Sequence, residues 1–296
     1  MKRYLAIDIG GTYVKYGLVT EEAAILESSK EKTPRDLEAL LSLIKSISQQ
    51  FSNYEGIAMS APGAVADEGV IYGYSALPYI HGPNMKELIS ERTGVPVFIE
   101  NDANCAGYAE VWKGSAKGKS DVLVMVIGTG IGGAIIKDGL IHKGAHLHGG
   151  EFGYMLLNND IGQIEGVWSE TASTYALVKH VAKQKNLDPD HVSGEEVFQW
   201  AQDGDEVSIK AIERFYKLLA LGIYNLQYVY DPEVILVGGG ISARDDLIDQ
   251  INKRIDQILE KVEVAKVKPK IDICHFKQNA NLLGAVQGYR KRIENV

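Results

Sequence analysis

The sequence predicts an α/β protein built from two similarly begun halves, and three observations carry that expectation. Short apolar runs alternate with segments of helical periodicity along the whole chain. Ile9-Gly10-Gly11-Thr12 reappears as Ile127-Gly128-Thr129-Gly130, each after an apolar strand and before further strand-like residues. Between the copies, at 114–119, the chain turns small and basic (Gly-Ser-Ala-Lys-Gly-Lys), which suits a domain junction. The repeat implies equivalent halves that face each other.

In the first half, residues 4–9, 14–19 and 23–28 read as strands, with a turn at Thr20-Glu21-Glu22. Over 36–51, Leu37, Leu40, Leu41, Ile44 and Ile47 recur at helical spacing behind Pro34. Residues 56–60 and 95–99 are buried strand candidates that run into Ala61-Pro62-Gly63 and Asn101-Asp102, and 102–112 reads as a helix. The expected order is β-β-β-α-β-α-β-α. In the second half, Val122–Ile127, 134–137 and 140–142 repeat the strand–turn–strand opening. Helices are predicted over 171–185, 193–203, Glu206–Tyr230 and 245–261, and a buried strand over 234–237 precedes Gly238-Gly239-Gly240. A last helix over 281–293 closes the chain and is expected to return to the first domain. The expected division is therefore 1–116 with 281–296, and 117–280.

Composition narrows the function classes. A hydrophobic share of 45% with 24% charged residues is that of an ordinary water-soluble globular chain. No apolar run is long enough to span a bilayer, and Asp8 interrupts any leader-like stretch. Cys105 and Cys274 are too few for a disulfide framework and fit a reducing cytoplasm. A net charge of −8 argues against a nucleic-acid face but leaves room for a small anion held by backbone amides and a metal ion.

Glycine after a buried strand lets main-chain amides approach a ligand and form a concave anion site. Gly128-x-Gly130-x-x-Gly133 matches the dinucleotide fingerprint, but that motif needs a helix to follow, and Ala-Ile-Ile-Lys is strand-like. No GxxxxGK[ST] loop occurs. A hairpin turn carrying a threonine can hold phosphate oxygens, one hairpin per half; the plain alternative is a pair of tight β-turns. The copies differ at one place, where Asp8 stands opposite Val126. A carboxylate beside a phosphate cradle needs an intervening cation, so Asp8 predicts Mg²⁺, held through water. Gly238, Gly239 and Gly240, between a strand and a helix, suit a flat nucleoside.

Glu100-Asn-Asp-Ala-Asn104 puts polar residues at a strand's C-terminal end, where ligands of α/β sheets bind. Asn101 or Asp102 could simply cap the following helix. Phosphoryl transfer needs positioning, charge neutralisation and one base; Asp102 can be that base, with Asn101 bonding a neighbouring hydroxyl.

Taken together, Asp8-Ile-Gly-Gly-Thr12, Glu100-Asn-Asp-Ala-Asn104, Ile127-Gly-Thr-Gly-Ile-Gly-Gly133 and Val237-Gly-Gly-Gly240 resemble the ROK family (repressors, open reading frames, sugar kinases) in order and spacing. The resemblance implies a ribonuclease H-like fold of the actin/hexokinase type, two domains around a central cleft, and transfer of the ATP γ-phosphoryl group to a sugar hydroxyl, usually at C6. It implies Asp102 as base and Asn101 and Asp102 as holders of sugar hydroxyls. Gly10, Gly11, Thr12, Gly128, Thr129 and Gly130 would surround the phosphates, and Gly238–Gly240 the adenosine. Lys15 and Gly132 join the nucleotide set, and Gly63 the sugar set. The family's Glu-x-Gly-His motif falls on Glu151-Phe-Gly-Tyr154, and its later glutamate on Glu170; both carboxylates would bind the far side of the ring.

Two departures matter. Tyr154 stands where the family has a zinc-binding histidine, and no cysteine lies between Tyr154 and Glu170, so the family's zinc loop is missing. His142, His146 and His148 at i, i+4 and i+6 would need an improbable fold-back to converge on zinc, so no zinc site is expected. This combination is most similar to the family's β-glucoside kinases, which act on the glucosyl unit of glycosides such as cellobiose. The absent loop would open the C1 side for an aglycone. Tyr154 is thereby a candidate acceptor residue. The alternatives are a kinase for a free hexose or N-acetylhexosamine (glucose, N-acetylmannosamine), a non-catalytic sugar sensor or a repressor. The phosphate motif begins at residue 8, which leaves no room ahead of it for a helix-turn-helix. An actin-like ATPase would need no Asn-Asp pair. The resemblance also implies a homodimer.

Overall fold

A computed structural model describes residues 1–158, 165–277 and 279–295. The chain forms two compact units. The first comprises Met1–Ser120, Ala134–Gly149 and His275–Val296; the second comprises Asp121–Gly133 and Gly150–Cys274.

In the first unit, β1 (Arg3–Ile9), β2 (Tyr13–Thr20), β3 (Ile25–Lys32), β4 (Ile57–Ala61) and β7 (Val97–Asn101) make one sheet in the order β3-β2-β1-β4-β7. The first three are antiparallel, whereas β1, β4 and β7 run parallel. One face carries Leu5, Ile7, Ile9, Val14, Tyr16, Ile57, Met59, Val97 and Ile99 into an apolar core with α1 (Leu37–Gln50) and α2 (Met85–Thr93). Helix α1 starts where Asp36 accepts from the Ala39 amide, and its stripe of Leu40, Leu41, Ile44 and Ile47 is buried. A two-stranded ribbon, β5 (Ala64–Val65) with β6 (Ile71–Tyr72), and a 3-10 turn at Pro78–Ile80 leave the C-terminal end of β4.

The opposite face is covered by α9 (Ala280–Arg292), which packs against α3 (Asp102–Lys113). Their approach is so close that a Cβ on Gly284 would stand 1.6 Å from the Cys105 carbonyl oxygen. Buried Glu110 of α3 accepts the backbone amides of His275 and Phe276, which brings the chain back to this unit.

The second unit contains β8 (Val122–Ile127), the start of β9 (Ile131–Lys137), β11 (Val234–Gly238) and β12 (Ile271–Ile273). With β10 (Leu140–Ile141) they form a sheet in the order β10-β9-β8-β11-β12, strand for strand the arrangement of the first sheet. Helices α4 (Trp168–Ala172), α5 (Thr174–Lys185), α6 (Gly194–Gln202), α7 (Glu206–Tyr230) and α8 (Leu247–Lys261) complete the unit. The indole of Trp168, wholly buried, lies against Gly222 of α7, where a Cβ would be 2.1 Å from the ring.

Several boundaries differ from the sequence reading. The stretch 134–149 joins the first unit instead of a 117–280 block, because Gly107 of α3 abuts Ala134, Ile136 and Ile141. β3 begins at Ile25 because Ala23 takes φ 69° in a turn whose amides bond the Thr20 hydroxyl. β9 begins at Ile131, so Gly132 and Gly133 are strand residues and not part of the turn. The helix expected over 171–185 is broken at Ser173, which is extended (ψ 165°) and caps α5 by accepting from Ala176. Among the described residues, no helix is long and apolar enough to cross a membrane.

Candidate active site

In the first unit the register of five strands assembles a polar row that no local sequence pattern announces. Lys30 pairs with Lys15, Lys15 with Asp8, Asp8 with Ser60, and Ser60 with Glu100. Partners in register share a sheet face, so these five side chains line the face that α9 covers. Asp8 is only 8% exposed and its Oδ1 accepts from Asn281 Nδ2 at 3.1 Å. Burial pushes its carboxyl above the usual carboxylate range, against the pull of Asn281, Ser60 and Lys15. Next to Asp8, the Gly10–Thr12 turn closes by a bond from the Gly10 amide to the Tyr13 carbonyl, and Thr33 braces it through Gly10 and Thr12.

Asn101 ends β7 and is the N-cap of α3. Its Oδ1 accepts from the amides of Ala103 (2.9 Å) and Asn104 (3.2 Å), and its Nδ2 donates to the Gly63 carbonyl at 3.1 Å. One Nδ2 hydrogen is left for a ligand. Gly63 takes φ +105°, and a Cβ there would strike Ile71 and His81. Asp102 is the first residue of the helix, exposed, with Oδ1 on the Ala103 amide. A carboxylate there is favoured by the helix N-terminus.

Behind this pair lies a network that sequence reasoning missed. Glu100, 1% exposed, accepts from the Asn101 amide and from Asn104 Nδ2, and its other oxygen lies 2.9 Å from Lys143 Nζ. Lys143 also bonds Asp67 (2.8 Å) and the Val65 carbonyl (2.9 Å). Burial alone would lower its pKa, but Glu100 and Asp67 outweigh it and raise it. The histidines on either side of Lys143 are exposed, and the ring of His148 bonds the His146 carbonyl. Lys143, the unremarked residue of that run, is the one that is anchored. Cys105 is fully buried, and its thiol is pushed far up by burial and by Glu100, Asp8 and Asp102, which leaves it protonated.

In the second unit, the candidate residues come together around one hydroxyl. Ser169 Oγ accepts from the Ile131 amide (2.8 Å) and donates to its carbonyl (3.2 Å). A Cβ on Gly130 would be 3.3 Å from that oxygen, and one on Gly153 would be 2.1 Å from it. Ser169 thus fastens the Gly128–Gly130 turn to the 3-10 turn Phe152–Tyr154 and to α4, which carries Glu170. Glu151 and Tyr154 are exposed at the ends of that turn, Tyr154 to 68%. Glu170 is exposed with one oxygen on the Val167 amide.

The third glycine cluster packs on the same turn: Gly239 has φ +89°, and a Cβ there would be 2.1 Å from the Ile127 carbonyl oxygen. Gly128, Gly132 and Gly240 are different. A Cβ on any of them meets nothing within 4 Å, so the fold itself does not demand glycine there. A ligand brought close to the backbone would. The neighbours of Thr129 include the start of α5, whose Tyr175 amide bonds the Gly128 carbonyl. Among the described residues, no cluster of three or more His, Cys, Asp or Glu is arranged for a metal ion.

Known proteins resemble the chain in sequence and fold. The model of the ROK family matches residues 4–291. The β-glucoside kinase of Listeria monocytogenes is 35% identical over 95% of this chain and 95% of its own. The crystal structure of a ROK family protein from Streptococcus pneumoniae in complex with sucrose is 38% identical, with a TM-score of 0.92 over 99% of this chain and 100% of that one. A glucokinase from Streptomyces griseus, solved with glucose and AMPPNP, is 26% identical with a TM-score of 0.76 over 96% and 97% of the two chains. These matches put the chain in the hexokinase-type, actin-like ATPase fold.

Proposed function

The chain belongs to the ROK family, and from that premise we propose that it is an ATP-dependent sugar kinase acting on the C6 hydroxyl of a glucosyl unit in a β-glucoside such as cellobiose. The observation that carries this reading is the likeness, along almost the whole chain, to a β-glucoside kinase at 35% identity. Tyr154 in place of the family's histidine supports it, since a kinase for glycosides must leave the C1 side open.

In this reading Asp102 takes the proton of the C6 hydroxyl while that oxygen bonds to the γ-phosphorus and the bond to the β-phosphate oxygen breaks, releasing ADP. Asn101, fixed by its two capping bonds, offers its remaining Nδ2 hydrogen to a neighbouring hydroxyl, with Gly63 beside it. Glu151, Glu170 and Tyr154 serve the rest of the acceptor. The turns at Gly10–Thr12 and Gly128–Gly130, with Lys15 and Gly132, serve the phosphates, and Gly238–Gly240 the nucleoside.

Asp8 fits Mg²⁺ held through water, because burial disfavours its bare negative charge and a cation would relieve that cost. When bound, Mg²⁺ supplies charge neutralisation at the phosphates.

A coupled ADP-release assay over glucose, mannose, fructose, N-acetylmannosamine, cellobiose and an aryl β-glucoside tests the proposal. The expected result is sugar-dependent ADP formation with the highest kcat/KM on the glucosides. A clear preference for glucose or N-acetylmannosamine overturns the acceptor assignment, and ADP release without added sugar overturns the kinase itself.

A further inference from the structure

We propose that a cavity between the β2–β3 side of the first sheet and the start of α9 binds a phosphate dianion, as inorganic phosphate or as a small phosphate monoester. Lys15 is the one residue it shares with the nucleotide set; Ser28, Lys30 and Asn279 lie outside that set.

The cavity has a volume of about 330 Å³ and is lined by Lys15, Ser28, Ser29, Lys30, Asn279 and Leu282, all within the first unit. Strand register makes this lining cationic. Lys30 pairs with Lys15 and Ser28 with Gly17, so Lys15, Ser28 and Lys30 share the face that α9 covers. Glu27 and Glu31 alternate with them onto the other face, opposite Leu18 and Val14. Like charges directly opposite each other on neighbouring strands are destabilising. The fold gains nothing from this pair alone, on a chain whose net charge is −8; an anion between the two lysines removes the repulsion.

The donors around the cavity are also unspent. Among the described residues neither Lys15 nor Lys30 forms an ion pair, and the Ser28 hydroxyl makes no hydrogen bond. Asp8, next to Lys15 in the row, accepts from Asn281. Lys30 Nζ stands 4.5 Å from the centre of the Tyr13 ring, a contact that steers the ammonium but brings no negative charge. Asn279, the N-cap of α9, makes no side-chain cap bond, which leaves its amide group free for a ligand. Buried Leu282 adds an apolar wall.

The chemistry selects the ligand. Two ammonium groups match a dianion in charge, and charge-assisted bonds of this kind are about twice as strong as neutral ones. The hydroxyl and the carboxamide supply further donors to its remaining oxygens. Neutral sugar hydroxyls would leave both lysines uncompensated. The volume lies at the low end of the roughly 300–1,000 Å³ of small-molecule sites, which gives room for a short organic group beside the phosphate.

Calorimetric titration of inorganic phosphate and of glycerol 3-phosphate into wild-type, Lys30→Met and Lys30→Arg proteins tests the site, with Mg·AMPPNP titrated in parallel. Wild type should bind one phosphate group per chain outside the nucleotide site. Lys30→Met should weaken that binding about tenfold, the worth of one charge-assisted hydrogen bond, and leave the Kd for Mg·AMPPNP within about twofold. Lys30→Arg should bind like wild type. Equal affinity for the two probes identifies the free anion as ligand, and tighter glycerol 3-phosphate identifies a monoester. Wild-type binding weaker than about 10 mM for both probes overturns the site. Unchanged phosphate affinity in Lys30→Met, or an equal loss for phosphate and Mg·AMPPNP, overturns it as well, since the anion then sits elsewhere or in the nucleotide site. None of these titrations needs turnover, so their outcome is separate from that of the ADP-release assay.

Discussion

Replacing Lys143 with methionine keeps the volume of the side chain and removes its charge. Glu100, 1% exposed, would then keep the Asn101 amide and Asn104 Nδ2 as hydrogen-bond partners. Its other oxygen, now 2.9 Å from Nζ, would lose that ion pair. Removing one partner of a buried ion pair costs about 3–5 kcal/mol, because the charge left behind is desolvated. Asp67 adds little to this, since its side chain is 73% exposed and water takes over the lost contact. For a cooperative unit of this size the melting temperature should drop by roughly 6–20 °C.

Thermal and urea unfolding of wild-type, Lys143→Met, Glu100→Gln and the double variant measure the effect. The double variant should recover much of the loss, because neither charge is then stranded, so the cycle should show coupling of about 2 kcal/mol or more. A single-variant loss below about 1 kcal/mol with additive singles would mean that the pair behaves like a surface bridge, and the anchoring role assigned to Lys143 would be wrong.

Asp102→Asn should lower kcat by about 100- to 10,000-fold with little change in KM for ATP, the loss expected of a general base; kcat within tenfold of wild type removes Asp102 from that role. Burial raises the Asp8 pKa, so its protonated form favours folding at low pH and that contribution is lost as pH rises through the raised value. Asp8→Asn should accordingly raise the melting temperature of the ligand-free protein at neutral pH while weakening its dependence on Mg²⁺; a lower melting temperature contradicts the burial argument. Gly239→Ala forces a Cβ toward the Ile127 carbonyl at positive φ and should cost about 2–4 kcal/mol, whereas Gly240→Ala should fold like wild type and lose ATP affinity, as read by calorimetry. Asp205 caps α7, and hydrogen bonds from Lys185 and Ser208 lower its pKa from 3.8 to about 2. Its contribution is present above 3.8 and lost as pH falls toward about 2, so Asp205→Ala should flatten the acid unfolding limb in that window.

Much of the fold was legible locally. The apolar strand before each Gly/Thr turn, the leucine and isoleucine spacing of α1 and the long uninterrupted pattern of α7 follow from interactions between residues a few positions apart. Glu206–Tyr230 is read to the residue because its cap, stripe and stop all lie within it or beside it. Ser173 misled for the same local reason: within an otherwise helical pattern, only the packing of α4 and α5 makes it a break.

What the chain determines by itself, then, is which residue types are offered at the ends of its strands: Asp8 before a glycine turn, Asn101 and Asp102 at a helix start, and glycines after β8 and β11. Tertiary structure decided how they are joined. Lys30, Lys15, Asp8, Ser60 and Glu100 form one row only because five strands pair in a particular register. Ser169 fastens a turn 38 positions away, and Lys143, in the loop after β10, pairs with a glutamate at the end of β7. These contacts link residues far apart in sequence, and no periodicity records them, since they depend on the register and packing that the apolar core imposes.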